Sequence, residues 1–191
     1  MNRYIVLDVE TGGIGDDKSL LTACFIYCEY KNDGFEILDG LDLKIKPNDD
    51  VYRITAESLS INNIDLKKHN KIAITEKQAG TKLYDRLSNW YLMNNKEKLI
   101  PIGHNVAFDI RKVTTSLVNV GTWEQFISHR VLDTSTIVQF LRLQGKFPNN
   151  VSGSLVGLTD YFNCKPLTGN PHEADYDCLA TLNVLENLFK L

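Results

Sequence analysis

The stretch YIVLDVETGG, Tyr4 to Gly13, decides the fold. Residues 3–9 are rich in apolar and β-branched types and read as a strand. On a strand, residues i and i+2 face the same way, so Asp8 and Glu10 project together from its end. Two like charges that close repel unless a cation lies between them, and hard divalent cations take carboxylate oxygens. The glycine pair that follows is a turn in which backbone can approach a ligand closely. A D-x-E triplet is expected about 0.7 times by chance in a chain of this composition. The pair therefore takes its meaning from its surroundings, here an apolar strand before it and a glycine turn behind it.

Outward from this strand the chain reads as a meander. Leu20–Tyr30 is a second strand, KNDG at 31–34 a hairpin turn, and Phe35–Ile45 a third strand with alternating apolar positions, ended by Pro47. Thr55–Ser60 suits a short helix. Thr75–Met93 carries Leu83, Leu87, Trp90 and Tyr91 at helical spacing, Leu99–Gly103 is a short strand, and Val106–Val120 is helical with Val113, Leu117 and Val120 on one face. RVLDTST is a last strand passing into a helix from near Thr134 to about Leu143, and SGSLVGLTDYF is another short helix. In the final helix Asn170, Pro171 and Glu173 suit N-cap, first-turn and capping-box positions, and Cys178, Leu182, Leu185 and Phe189 share a face. Strands first, then alternating helices and strands, give a mixed α/β fold, expected as a single domain over 1–191.

Composition sets bounds. The chain has 191 residues, 43% of them hydrophobic, enough for a sizeable core. A formal charge of −3 excludes a bulk polycation, so any nucleic-acid contact would run through a local site or a metal. Cys24, Cys28, Cys164 and Cys178 match no zinc template and read as buried thiols in a reducing compartment. No signal-peptide pattern and no apolar run near membrane-spanning length is present, so a soluble cytoplasmic protein without membrane contact is expected.

Two further stretches carry polar residues at suggestive places. In IPIGHNVAFDI a strand breaks at Gly103, His104 and Asn105 follow, and Asp109 falls in the first turn of a helix, where the helix dipole alone would favour it. Phe108 suits the core. In PHEADYDCLATLNVL, His172 and Asp177 would lie about 140° apart around one helix. His172 is therefore expected at the loop–helix junction and Asp177 within the helix. Asp175 is a nearby acid with first-turn character. Arg111 and Lys112, and the basic run KKHNK at 67–71, could reach phosphates, against the plainer reading of solvated faces.

LDVETGG, GHNVAFD and HEADYD, in this order and at this spread, resemble the three motifs of the DEDDh 3′–5′ exonucleases, a family that includes polymerase proofreading exonucleases, ribonuclease T and oligoribonuclease. The first matches through Asp8, Glu10 and Thr11, the second through His104, Asn105, Phe108 and Asp109, and the third through His172 and Asp177. LDTST at 132–136 resembles the segment after the second motif. The chain departs at Gly12, where many members carry a second Thr.

The resemblance implies a ribonuclease-H-like fold: a mixed central sheet, a three-stranded antiparallel meander plus parallel strands, flanked by helices. It implies two divalent metal ions, Mg²⁺ or Mn²⁺, on Asp8, Glu10, Asp109 and Asp177, and His172 as the general base, a task suited to imidazole. Thr11, Gly12, Ile14, His104, Asn105 and Phe108 are the candidate substrate contacts, with Ile14 as a wedge against the terminal base. The implied substrate is the 3′ end of single-stranded nucleic acid, DNA favoured, released as nucleoside 5′-monophosphates. The alternatives are an exoribonuclease on RNA 3′ ends or short oligoribonucleotides, and a proofreading or non-catalytic subunit working with a DNA polymerase. All five motif residues are present, which favours an enzyme.

Overall fold

The computed structural model describes residues 3–191, so the first two residues of the expected 1–191 domain lie outside the described residues. β1 (Arg3–Thr11), β2 (Leu20–Lys31) and β3 (Gly34–Lys46) form the antiparallel meander. β5 (Ile100–Gly103) adds to β1 and β6 (Leu132–Asp133) adds to β5, both parallel, while the two-residue β4 (Ile74–Thr75) runs parallel to β3. The resulting order is β4-β3-β2-β1-β5-β6. The β2–β3 hairpin turns on Asn32 (φ 52°) and Asp33 (φ 62°), both left-handed, as a two-residue type I′ loop requires.

The period-2 pattern of β1 and β2 splits the core. Ile5, Leu7, Val9, Ala23, Phe25 and Tyr27 face one way, against α3 (Glu76–Met93), α4 (Val106–Ser116) and α5 (Val120–Phe126). Trp90 of α3 is buried and stacks on Tyr27 at 5.5 Å, and its indole N–H donates to Asp39. Val6, Cys24, Ile26 and Cys28 face the other way, under Cys178, Leu182 and Leu185 of α8 (Ala174–Leu188). Behind α8, Val184 and Leu188 meet α6 (Thr134–Leu143) and α7 (Leu155–Phe162) through Val138, Leu141 and Leu158. All four cysteines are free thiols, and Cys24, Cys28 and Cys178 are buried. Among the described residues no helix is long and apolar enough to cross a membrane.

Three local readings of the sequence differ from the structure. The helix expected over Val106–Val120 is two. α4 stops at Ser116, and Asn119 starts α5 by accepting from the Thr122 amide at 2.9 Å, which leaves Val120 exposed. The basic run at 67–71 falls in a helix the sequence reading does not assign, and Lys67, Lys68, Asn70 and Lys71 are exposed, as a solvated face requires. That helix is α2 (Leu66–Ile72), started by the Asp65 carboxylate, with His69 buried and its Nε2 against Ile45 O at 2.8 Å. α1 (Ala56–Asn62) precedes it, capped by Thr55.

The third difference is the start of α8. The expected box between Asn170 and Glu173 is present, Glu173 accepting from the Asn170 amide at 3.0 Å, but it closes a turn and not a helix. His172 has φ +68°, a left-handed backbone that stops helix from starting before Ala174.

Candidate active site

The C-terminal end of the interior strand β1 and the N-terminal ends of α4 and α8 meet at one place, and each brings acids. β1 supplies Asp8 and Glu10 on the α8 face, opposite Cys24 and Thr22 of β2. β1 pairs with β5 only through Val6, so the Val9 amide is left without a strand partner. Asp109, in the first turn of α4, takes it: Oδ1 accepts from Val9 N at 3.1 Å. The acid that dipole arguments would leave at a solvated helix start is buried against the strand that carries Asp8 and Glu10.

Asp177 is buried in the first turn of α8, and Oδ2 accepts from the His172 amide at 3.1 Å. His172 sits at the loop–helix junction, as its spacing from Asp177 predicts. One ligand atom from each of Glu10, His172 and Asp177 lies within 4.8 Å of the other two. Asp175 faces solvent and joins no such group.

Among the described residues no lysine or arginine forms an ion pair with Asp8, Glu10, Asp109 or Asp177, although the His172 charge draws Asp177 down. Burial, then the charges of Asp109, Asp177 and Glu10, push the Asp8 carboxyl well above the usual carboxylate range. Burial and the charges of Asp177 and Asp109 take Glu10 to about 8. Burial takes Asp109 to about 8 against the pull of the Val9 amide, and Asp177 to about 6 against that of the His172 amide. Asp8 Oδ2 is a buried oxygen with no hydrogen-bond partner. A sealed, unpartnered carboxylate oxygen beside three more acids is the donor set a hard divalent cation takes, and a cation there would reverse each of these shifts.

The remaining candidates hold the site together more visibly than they open it. Thr11 Oγ1 bonds Gly13 across the turn (2.8 Å to its carbonyl). Gly12 is close-packed by the chain itself: a Cβ there would lie 2.3 Å from Arg53 O and 2.8 Å from Ile54 Cγ2. That face of the glycine turn, expected to admit a ligand, is taken by residues 53–54. His104 Nδ1 lies 2.8 Å from Thr134 Oγ1, and Asn105, with φ 63°, is exposed. Phe108 is half-buried against the core, with the Arg111 guanidinium 5.8 Å from its ring centre. Ile14 is 84% exposed, free to meet a ligand.

Two residues have larger parts than their sequence reading. Asp133 accepts from the amides of Asn105 and Val106 (3.1 Å each) and of Ser135 and Thr136 (2.9 and 3.3 Å). One carboxylate thus caps both α4 and α6, and the D-T-S-T run was its signal, an Asp directly before a helix. Lys112 is neither a phosphate contact nor part of a solvated face: it is buried, with its ammonium on backbone carbonyls of the β1–β2 loop.

This is a ribonuclease-H-like sheet with the three acidic motifs gathered at the C-terminal end of its interior strand β1. No protein-family model matches the chain. In sequence it is 26% identical over 115 residues to ribonuclease T of Shewanella denitrificans, covering 59% of this chain and 50% of that one. It is 29% identical over 140 residues to ribonuclease T of Blochmanniella pennsylvanica, covering 70% and 63%. The chain thus spans less than two thirds of either relative. In fold it matches exonuclease I from Methylocaldum szegediense with a TM-score of 0.76 at 18% identity, over 100% of this chain and 41% of that one. Escherichia coli exonuclease I in complex with a dT13 oligonucleotide matches with a TM-score of 0.72 at 15% identity, over 98% and 41%. The chain is therefore similar in sequence to ribonucleases T and in fold to exonuclease I, and it carries the three motifs that resemble those of the DEDDh 3′–5′ exonucleases. A DNA polymerase partner finds no support among these relatives.

Proposed function

We propose that this chain, as a single exonuclease domain, hydrolyses phosphodiester bonds from the 3′ end of single-stranded nucleic acid and releases nucleoside 5′-monophosphates. The observation that carries the reading is the convergence of Glu10, His172 and Asp177 ligand atoms within 4.8 Å of one another, beside the unpartnered Asp8 oxygen. Asp8, Glu10, Asp109 and Asp177 would hold two divalent cations, Mg²⁺ or Mn²⁺, which when bound lower the pKa of a water and neutralise charge on the scissile phosphate.

The chain's own residues do the rest. Asp109, tied to Val9, keeps α4 in fixed relation to the strand that bears Asp8 and Glu10. Asp177 holds the His172 backbone through its amide, which leaves the imidazole to take the proton of the attacking water. Ile14, exposed four residues beyond Glu10, is placed to press on the terminal base, and Phe108, half-buried, offers a second apolar surface. His104 and Asn105 bear on substrate through the turn that Asp133 and Thr134 hold.

DNA is the favoured substrate, since solved fold neighbours include exonuclease I with a dT13 strand. The sequence relatives are ribonucleases T by name, and that favours RNA ends as the second reading. Matched DNA and RNA oligomers, labelled at the 3′ or the 5′ end and incubated with Mg²⁺ or Mn²⁺, decide between them. Activity that persists in EDTA, or in Asp8→Ala, sinks the proposal.

A further inference from the structure

Lys112 lies on α4 one turn beyond Asp109, and only 1% of it is exposed. Its Nζ donates to Gly15 O at 2.6 Å and Lys18 O at 3.1 Å, with Asp16 O at 3.5 Å. Among the described residues no carboxylate forms an ion pair with it. A buried ammonium is costly unless its donors are satisfied, and here one loop satisfies them. Arg111 adds a second tie from the same helix, Nε to Asp16 Oδ1 at 3.3 Å.

The base of that loop is fixed separately. Gly12 N donates to Ser19 O and Thr55 N to Gly12 O, each at 2.8 Å, and Arg53 N donates to Ser19 Oγ at 2.8 Å. The crown is held by α4 alone in this set of bonds. α4 therefore grips the chain at two points, Asp109 on Val9 before Glu10 and Lys112 on Gly15–Lys18 after it. Between the fixed base and the fixed crown stands Ile14, 84% exposed. A single exposed apolar side chain is ordinary on a protein surface; what sets Ile14 apart is its place four residues after Glu10, on backbone tied at the loop's base and at its crown.

We infer that Lys112 is a positioning residue, which holds the β1–β2 loop and so Ile14 in register with the carboxylates and thereby sets affinity for the terminal nucleotide. The inference rests on the exonuclease reading for its ligand, though not for the clamp. Loosening the loop makes binding bear the ordering of Ile14 and leaves the acids in place.

The test compares the full chain, Lys112→Met, Ile14→Ala and the double variant on a single-stranded oligothymidylate with Mn²⁺. Lys112→Met is expected to raise KM on the order of fivefold with kcat little changed. The double variant is expected to be no worse than the poorer single, because both act through one contact. A KM unchanged in Lys112→Met, or losses that multiply in the double variant, overturns the inference. Acylation of wild-type lysines needs no variant to fold: Lys112 should resist a reagent that labels Lys68, and equal labelling overturns the clamp. A wild-type chain that cleaves nothing removes the exonuclease reading, while the labelling and hydrogen exchange at residues 13–18 in Lys112→Met still decide the clamp.

Discussion

The amide of His172 donates to Oδ2 of Asp177 at 3.1 Å, so the imidazole is held at the site through its own backbone. A continuous helix could not do this, since five residues carry the two side chains far apart around its axis. The left-handed φ of +68° at His172 folds the junction back over the first turn of α8 and brings both residues beside Glu10. A non-glycine residue in that region is strained, and it persists because Asp177 and the Asn170–Glu173 turn hold it on either side.

Two variants separate the imidazole from the backbone. His172→Ala removes the proposed base and is expected to lower kcat by about 10²–10⁴. Mn²⁺ affinity, read by titration calorimetry, should stay near that of wild type, since the four carboxylates remain. A loss of metal affinity in step with kcat would make His172 a ligand instead of a base. His172→Gly should lose the same activity and gain about 1 kcal/mol of stability over His172→Ala, because glycine relieves the strained φ.

Asp8→Asn tests whether the acids are kept at the expense of stability. The substitution preserves shape and removes one charge from a group whose carboxyl is raised by burial and by three neighbouring acids. Cleavage should vanish. The metal-free protein should become more stable, by about 1–2 kcal/mol, a typical gain when functional strain is removed. Denaturant titration in EDTA measures it, and a destabilised Asp8→Asn chain would mean that the acids are tolerated by some compensation not seen in their hydrogen bonds.

The same repulsion fixes how stability depends on pH. Glu10 and Asp109 are raised to about 8 and Asp177 to about 6, all chiefly by burial. Between the ordinary carboxylate range and these values the native state keeps protons that the unfolded state has released. Stability is then present at low pH and lost as pH rises through the raised values. In EDTA the melting temperature should fall from about pH 5 to about pH 8, and added Mg²⁺ or Mn²⁺ should restore most at the upper end. An EDTA profile that is flat or rises over this range contradicts the raised carboxyls.

The meander was legible because period-2 alternation and the KNDG turn specify strand faces locally, and each acid could be assigned to its element in the same way. What lay beyond reach was decided by single side chains acting over distance. The apolar spacing Val113, Leu117, Val120 runs on through the helix break that Asn119 imposes. Asn170 and Glu173 carry a helix-start signature that the φ of His172 turns into a separate turn. Lys112 looks like any surface lysine, and its burial depends on a loop almost a hundred residues earlier. Local pattern encodes elements and faces, whereas the bonds that lock one element to another need the fold.

Gly12 is the place where the chain departs from the Thr many DEDDh members carry, and its neighbours say what the departure does. A Cβ would stand 2.3 Å from Arg53 O, a backbone atom that cannot swing aside, and 2.8 Å from Ile54 Cγ2. The same segment is pinned by Thr55 N to Gly12 O and Ser19 N to Arg53 O, at 2.8 and 2.9 Å. Gly12→Ala should therefore destabilise the protein by about 1–3 kcal/mol through overpacking, and Gly12→Thr by more. Thermal melts of the two variants check this, and the order matters: a neutral Gly12→Ala would mean that residues 53–55 yield readily. The expected loss also reaches the site, since a displaced Arg53–Thr55 segment releases the base of the loop that carries Ile14. Activity at limiting substrate should thus fall further than the fraction of folded protein, and equal falls in the two would confine Gly12 to stability alone.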